Sequence, residues 1–378
     1  MTPVLQFLLV LVIILIAAKA SGMAASRLGQ PAVLGELLAG VILGPSVIDL
    51  FGLNFITDAH LDETIHLMAE LGVIFLMFLA GLETDLEEVN KVRGVAILAG
   101  TFGVVFPIVL GTIVALPFGF NFEDSLFIGI ILAATSVSIS AQTLMELGVL
   151  QGRQGVSILA AAVIDDVLVI LALSFFVAFE LDSGSGGSGP TEVLGILGRV
   201  ILFFVVALVI GRFVLPWIAR WSANAPMSEN VAVTAIVVVL LSAWFAEYVG
   251  EVALITGAFL AGVFFRPTEV HRIIDEKVRT FAYGFFVPIF FVGVGLAADA
   301  GDLQGSDILF LLVICIVAVI GKLLGCGLGA YIAGENIQSS LQIGTGMISR
   351  GEVGLIVASV GLANNLIDGG AYAVMVLM

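Results

Sequence analysis

The sequence predicts an all-α membrane protein of about thirteen transmembrane helices, in two inverted-topology six-helix repeats joined by a linker helix, with broken crossing helices. Three observations predict it. Of 378 residues, 60% are hydrophobic and 12% charged, with a mean hydropathy of +1.19, whereas soluble domains carry about twice that charged fraction. Basic residues fall in every second connection of the chain. Two stretches of the first half recur, in order, in the second.

A hydrocarbon core of roughly 30 Å needs about 20 apolar residues per helix. Apolar runs divided by Gly, Pro and charge give segments 4–20, 31–49, 63–82, 92–117, 124–147, 153–180 and 192–220, then 228–247, 252–265, 277–297, 306–333, 338–363 and 369–378. The first reads as a membrane helix rather than a cleaved signal, because no positive leader precedes Val4–Ala18 and Lys19 follows it. The stretch Asp182 to Pro190 is rich in Gly and Ser and reads as a flexible linker. It divides the chain into a first repeat over 1–180, a linker and connecting helix over 181–227, and a second repeat over 228–378. The last segment is cut short by the end of the chain, from which a trimmed or longer natural chain is expected.

Lys and Arg resist translocation and collect on the cytoplasmic side. Connections after the first, third, fifth, seventh and ninth segments hold Lys19 and Arg27, Lys91 and Arg93, Arg153, Arg220, and Arg266 to Arg279. Connections after even segments are acidic instead, as at Asp58, Asp62, Glu123, Asp124 and Asp302. The expected topology has the N-terminus outside and the C-terminus in the cytoplasm. The formal charge of −16 is spread over these short loops, which excludes nucleic acid as a partner. Cys315 and Cys326 share one apolar segment and form no disulfide framework. His60, His66 and His271 form no metal-ligand cluster, and no phosphate-binding loop supports ATP-driven pumping. An enzyme is not expected, and neither is a cofactor.

The repeat is carried by Gly35-Glu-Leu-Leu-Ala-Gly-Val-Ile-Leu-Gly-Pro45 against Gly257-Ala-Phe-Leu-Ala-Gly-Val-Phe-Phe-Arg-Pro267, and by Gly81-Leu-Glu-Thr-Asp85 against Gly295-Leu-Ala-Ala-Asp299. These matches relate segments 2 and 9, and 3 and 10, which cross the membrane in opposite senses, an arrangement found in many secondary transporters.

Ionisable side chains at mid-membrane cost at least a few kcal/mol, so each needs a partner, a wet cavity or a task. Asp165 and Asp166 lie about a dozen residues into segment 6, roughly 18 Å along its axis. Dehydration opposes ionisation of a carboxylate and a nearby cation favours it, so such a site can hold either a proton or a metal ion. Lys322 lies at similar depth in segment 11, which is taken as the counterpart of segment 6. It is expected to pair with Asp165, either as a proton carrier or as a permanent structural pair, leaving Asp166 for the cation. Segments 5 and 12 contain Ala133-Ala-Thr-Ser-Val-Ser138 and Gly344-Thr-Gly-Met-Ile-Ser-Arg-Gly-Glu-Val-Gly354, poor helix formers in mid-span that predict breaks. Thr135 and Ser136 are candidates to line the site, or small residues for helix packing. Arg350 and Glu352 are expected to compensate helix dipoles or pair locally. Glu36, Glu70 and Glu146, near helix ends, read as structural.

At these residues the chain resembles the second cation:proton antiporter family, most closely its sodium/proton branch typified by NapA and GerN, over essentially its whole length. The resemblance rests on Ala162-Val-Ile-Asp-Asp-Val-Leu168, Ala134-Thr-Ser-Val-Ser138, Gly35 to Pro45 and Ser349-Arg-Gly-Glu-Val-Gly354 taken together. It implies an NhaA/NapA-like fold with a mobile core domain of segments 4–6 and 11–13, a dimer domain from the rest, elevator-like movement and a homodimer. By motif it implies that Asp166 binds Na+ and protons, with Asp165 as its partner and Lys322 as the paired lysine. The double Asp resembles electrogenic exchangers; the Kef potassium systems, with Gln in the first position, are more distant. The resulting expectation is a prokaryotic inner-membrane antiporter exchanging Na+ or Li+ for protons. The rivals are a K+/H+ antiporter or K+ efflux system of the same fold, a sodium-coupled symporter for an organic anion, and a non-transporting sensor or scaffold.

Overall fold

The computed structural model describes residues 2–58, 60–84, 86–176, 190–224, 229–297, 305–363 and 366–378. The Gly/Ser linker, and Asp85 and Asp299 that close the second repeat match, lie outside the described residues. Where the sequence predicts apolar spans, the chain is helical: α1 Pro3–Arg27, α2 Ala32–Leu43, α3 Leu61–Glu83, α4 Leu86–Ala115, α5 Phe122–Ala133, α6 Val137–Glu146 and α7 Arg153–Phe176. The second half holds α8 Pro190–Val209, α9 Leu215–Asn224, α10 Asn230–Tyr248, α11 Leu254–Phe265, α12 His271–Phe281, α13 Val287–Leu296, α14 Gly305–Ile332, α15 Ile337–Gly346, α16 Glu352–Ala363 and α17 Gly369–Leu377. Among the described residues, nine helical stretches are long and apolar enough to cross a membrane, and α2 and α11 are shorter apolar helices.

Segment 5 comes apart into α5 and α6 at Ala134–Ser136, and segment 12 into α15 and α16 at Met347–Gly351, where Gly, Ser and Thr hold a helix weakly. Two further interruptions are π-helical turns, Ile210–Val214 between α8 and α9 and Ala282–Phe286 between α12 and α13. Several charges assigned to loops sit inside helices instead: Lys19 lies in α1, Lys91 and Arg93 in α4, and Lys277 and Arg279 in α12.

Glycines set the closest helix approaches. A Cβ on Gly40 of α2 would lie 2.2 Å from the Val292 carbonyl oxygen of α13, and one on Gly295 would lie 2.3 Å from that of Leu37. The same relation recurs between α11 and α3, where a Cβ on Gly262 would lie 2.1 Å from the Phe78 oxygen and one on Gly81 2.0 Å from that of Phe259. Gly35 meets the Ser21 carbonyl of α1 as Gly257 meets the Ser242 carbonyl of α10, each at 2.2 Å for an added Cβ. No side chain fits at these six positions, so the backbones touch, as small residues permit in membranes.

Around these crossings, α1–α3 and α9–α13 share one apolar core, which also takes in residues of α4, α6, α7, α14 and α15 and in which Val73 to Leu82 of α3 are buried. A second core joins α4, α5, α7, α14, α16 and α17. Helix α4 packs on α5, α7 and α14.

Candidate ion site at the crossing of two broken helices

Asp165 and Asp166 sit midway along α7, 0% and 2% exposed, because the surrounding positions Ala161, Ala162 and Val169 are apolar and pack inward. Lys322 sits midway along α14 and is 0% exposed. Its Nζ donates to Asp165 Oδ1 at 2.5 Å. Burying either charge alone would be strongly unfavourable, and the pair makes both tolerable. Helix α4 packs against both α7 and α14, and at the level of the pair it carries Gly103. A Cβ there would lie 2.4 Å from Cys326 Sγ, 3.5 Å from Asp165 Oδ1 and 3.7 Å from Lys322 Nζ. The ion pair thus lies against a bare stretch of α4 backbone, with Cys326, one turn beyond Lys322, packed into the same gap.

The two breaks are hydrogen-bonded to each other. Ser136 N–H donates to the Ser349 carbonyl at 2.9 Å, and Ser349 Oγ returns a bond to the Ser136 carbonyl at 2.8 Å. Ser140 Oγ donates to the Gly346 carbonyl at 2.6 Å and lies 2.7 Å from Ser349 Oγ. Ser136 also caps α6, its Oγ accepting from Ile139 N–H. These bonds replace helical ones that the breaks remove. Asp165 Oδ2 and Thr135 Oγ1 are buried and make no hydrogen bond with the described residues. They are hard oxygen donors, the type that suits an alkali cation.

Arg350 lies in the second break. Its Nη2 donates to the Ala318 carbonyl of α14 at 3.1 Å, one turn before Lys322, and its Nη1 to the Ser349 carbonyl at 3.4 Å. It is within electrostatic reach of Asp165 and Cys326. The side chain of Glu352 lies outside the described residues. A cavity of about 630 Å³ opens on the face that carries Arg153 and ends at Ser140, Gly346 and Ser349, the residues of the crossing.

The structure therefore brings Asp165 together with Lys322, and Ser136 with the Ser349–Arg350 break. Sequence reasoning missed Gly103 and the placement of Cys326. Nothing in the sequence sets Gly103 apart from the other glycines of the chain, and only the packing of α4 between α7 and α14 gives it a role.

Two adjacent buried carboxylates, one of them paired with a lysine, beside two hydrogen-bonded helix breaks in a polytopic helical protein, define a membrane protein built to handle cations. The chain belongs to the sodium/hydrogen exchanger family: the family model described as "Sodium/hydrogen exchanger, transmembrane" matches residues 9–378. It is 37% identical to the Na(+)/H(+)-K(+) antiporter GerN of Bacillus cereus, covering 99% of this chain and 92% of that one. It is 35% identical to a Na(+)/H(+) antiporter of Enterococcus hirae, covering 99% and 94%. Its fold is similar to that of the sodium proton antiporter MjNhaP1 from Methanocaldococcus jannaschii, with a TM-score of 0.69 at 14% identity over 100% of this chain and 92% of that one.

Proposed function

We propose that this protein is a secondary antiporter that exchanges Na+ or Li+ for protons across a prokaryotic inner membrane. The observation that carries the reading is the buried acid pair of α7, in which Asp165 is held by Lys322 and Asp166 adjoins it at the same depth. Asp166 takes the cation or a proton in turn, because a dehydrated carboxylate binds either but not both. Thr135 and Ser136 line the site at the first break, and Arg350 and Glu352 balance the charge of the helix ends around the second. The names of the relatives support exchange of Na+ for H+. No cofactor enters this cycle; the coupled gradients drive it.

The architecture we infer is two inverted repeats. The recurrence of the Gly40–Gly295 crossing as Gly262–Gly81 supports it, since each glycine of one crossing matches one of the other in the sequence repeat. Helices α4–α7 and α14–α17 would form the moving transport domain of an elevator, and the remaining helices the scaffold and dimer surface. The charged loops favour the N-terminus outside and the C-terminus in the cytoplasm. Two carboxylates and one lysine favour electrogenic exchange.

In proteoliposomes holding a pH-sensitive dye, Na+ and Li+ should dissipate an imposed pH gradient, and Asp166→Asn should abolish the response while leaving a folded protein. Normal exchange by that variant would sink the assignment. A K+/H+ exchange reading is favoured by one observation, the name of the Bacillus cereus relative, which includes K+. A K+ response as large as that to Na+ would establish it.

A further inference from the structure

Helix α6 carries the first break at one end and, at the other, a chain of hydrogen bonds to elements of the scaffold. Glu146, its last residue, accepts from Ala32 N–H at the start of α2 at 2.6 Å through Oε2, and from Gln142 Nε2 at 2.7 Å through Oε1. Gln142 Oε1 in turn accepts from the Tyr283 hydroxyl at 2.7 Å, and that hydroxyl also lies 3.7 Å from Met145 Sδ. Tyr283 belongs to the π-helical turn Ala282–Phe286, and its carbonyl accepts from Lys19 Nζ of α1 at 3.2 Å. A π-turn shifts the register of the side chains that follow it, and such turns are frequent at functional sites. Every link is oriented: the helix N–H needs an acceptor, the amide of Gln142 donates to Glu146 with one end and accepts from the tyrosine with the other. A carboxylate at the α2 N-terminus is further favoured by the helix dipole.

We propose that Glu146, Gln142 and Tyr283 are positioning residues that latch α6 to the scaffold in the state whose cavity opens on the basic-loop face. The inference rests on the exchange reading above and on α6 moving with the ion site. For α6 to move against α2 and the π-turn, these bonds must break, so the latch sets how long the site stays accessible from that side. Gln142 is 7% exposed, while Glu146 is exposed at the rim, so the carboxyl end of the chain meets the aqueous phase of one compartment. The charged groups facing Glu146 and its neighbours are Glu36 of α2, which faces Glu146 and Lys19 of α1, and Arg279, Asp275 and Glu83 around Tyr283. Arg279 stands over the Tyr283 ring at 5.9 Å and is held by Asp275 at 2.7 Å and by Glu83 at 2.6 Å.

The test is the KM for Na+ measured from each face, in right-side-out and everted vesicles, for Tyr283→Phe and Glu146→Gln. Tyr283→Phe removes the hydroxyl link, and Glu146→Gln forces the Gln142 amide either to give up residue 146 or to turn and reverse its bond with Tyr283; each should raise the KM on the basic-loop face by about two- to tenfold without raising it on the other. The exchange of roles in Glu146→Gln with Gln142→Glu should restore the wild-type value. The amide introduced at 146 can accept from Ala32 and donate to the carboxylate introduced at 142, which still accepts from Tyr283. Tyr283→Phe leaves the ring packing in place and so reads the hydroxyl alone. Unchanged KM values on both faces, equal changes on both, or failure of the double variant to restore the asymmetry would each overturn the latch. Asp166→Asn, assayed in parallel, keeps the two readings apart. An inactive Asp166→Asn beside latch variants with wild-type KM removes the latch alone, whereas an active one removes the ion-site assignment.

Discussion

Lys322 has a long flexible side chain whose whole length is buried, so its ammonium depends on one carboxylate. Removing one member of such a pair leaves the other charged and unsolvated, which costs about 3–5 kcal/mol. Lys322→Ala should therefore lower the melting temperature in detergent and weaken proton coupling; an unchanged melting curve and exchange rate would refute the pairing role. Gly103 makes a second prediction at this scale. A methyl group at this position meets Cys326 Sγ before either charge, so Gly103→Ala should cost about 1–3 kcal/mol by overpacking. Cys326→Ala in the same chain removes the clashing sulfur and should recover most of that loss. If the double variant is no more stable than Gly103→Ala, the gap is not what the glycine provides. The acid pair could be found in the sequence because charge within an apolar run is conspicuous. Gly103 could not, because a missing side chain leaves no mark until its neighbours are known.

At the level of helices, the two breaks were legible and the π-turns were not. Ala133 to Ser138 and Gly344 to Gly354 accumulate small and hydroxyl residues, each a weak helix former, and the chain departs from helix within both runs. The stretches around Ile210 and Tyr283 keep an ordinary apolar pattern, and a π-turn adds one residue to a turn without changing composition. Boundaries drifted where charge begins inside a helix: α1 continues past Lys19 to Arg27 because a long side chain at a helix end can reach the membrane interface. The breaks themselves are held by Ser349, whose hydroxyl donates to the Ser136 carbonyl and lies beside Ser140 Oγ. Ser349→Ala leaves the buried Ser136 carbonyl without that donor. The expected loss is about 1–3 kcal/mol of stability, read by thermal unfolding, together with weaker apparent Na+ affinity. Wild-type values in both measurements would show that the crossing is held without the Ser349 hydroxyl.

Across the whole molecule, four of the six glycines of the close approaches tie α2 to α13 and α3 to α11, while Gly35 and Gly257 hold α2 against α1 and α11 against α10. The proposed inverted topology places opposite loops in opposite compartments. In a chain lacking Cys315 and Cys326, Gln151→Cys should react with a membrane-impermeant maleimide only from the cytoplasmic side, and Glu123→Cys only from outside. Labelling of both from one side would reject the topology. The Gly40–Gly295 crossing also has a consequence for how the protein is made. Helix α2 has only 12 residues, too few to span roughly 30 Å of hydrocarbon, and it contains Glu36. The backbone it fits against in α13 leaves the ribosome about 250 residues later, some 13–50 s at ordinary rates of synthesis. During that interval a short helix bearing an acid waits in or beside the bilayer for its partner. Nascent chains ended before Val287 should leave α2 extractable by alkali or accessible to modification, and chains extended past Leu296 should protect it. That result would mean that assembly is timed by the second half of the chain, with α2 inserted provisionally until the late glycine crossing makes its place permanent.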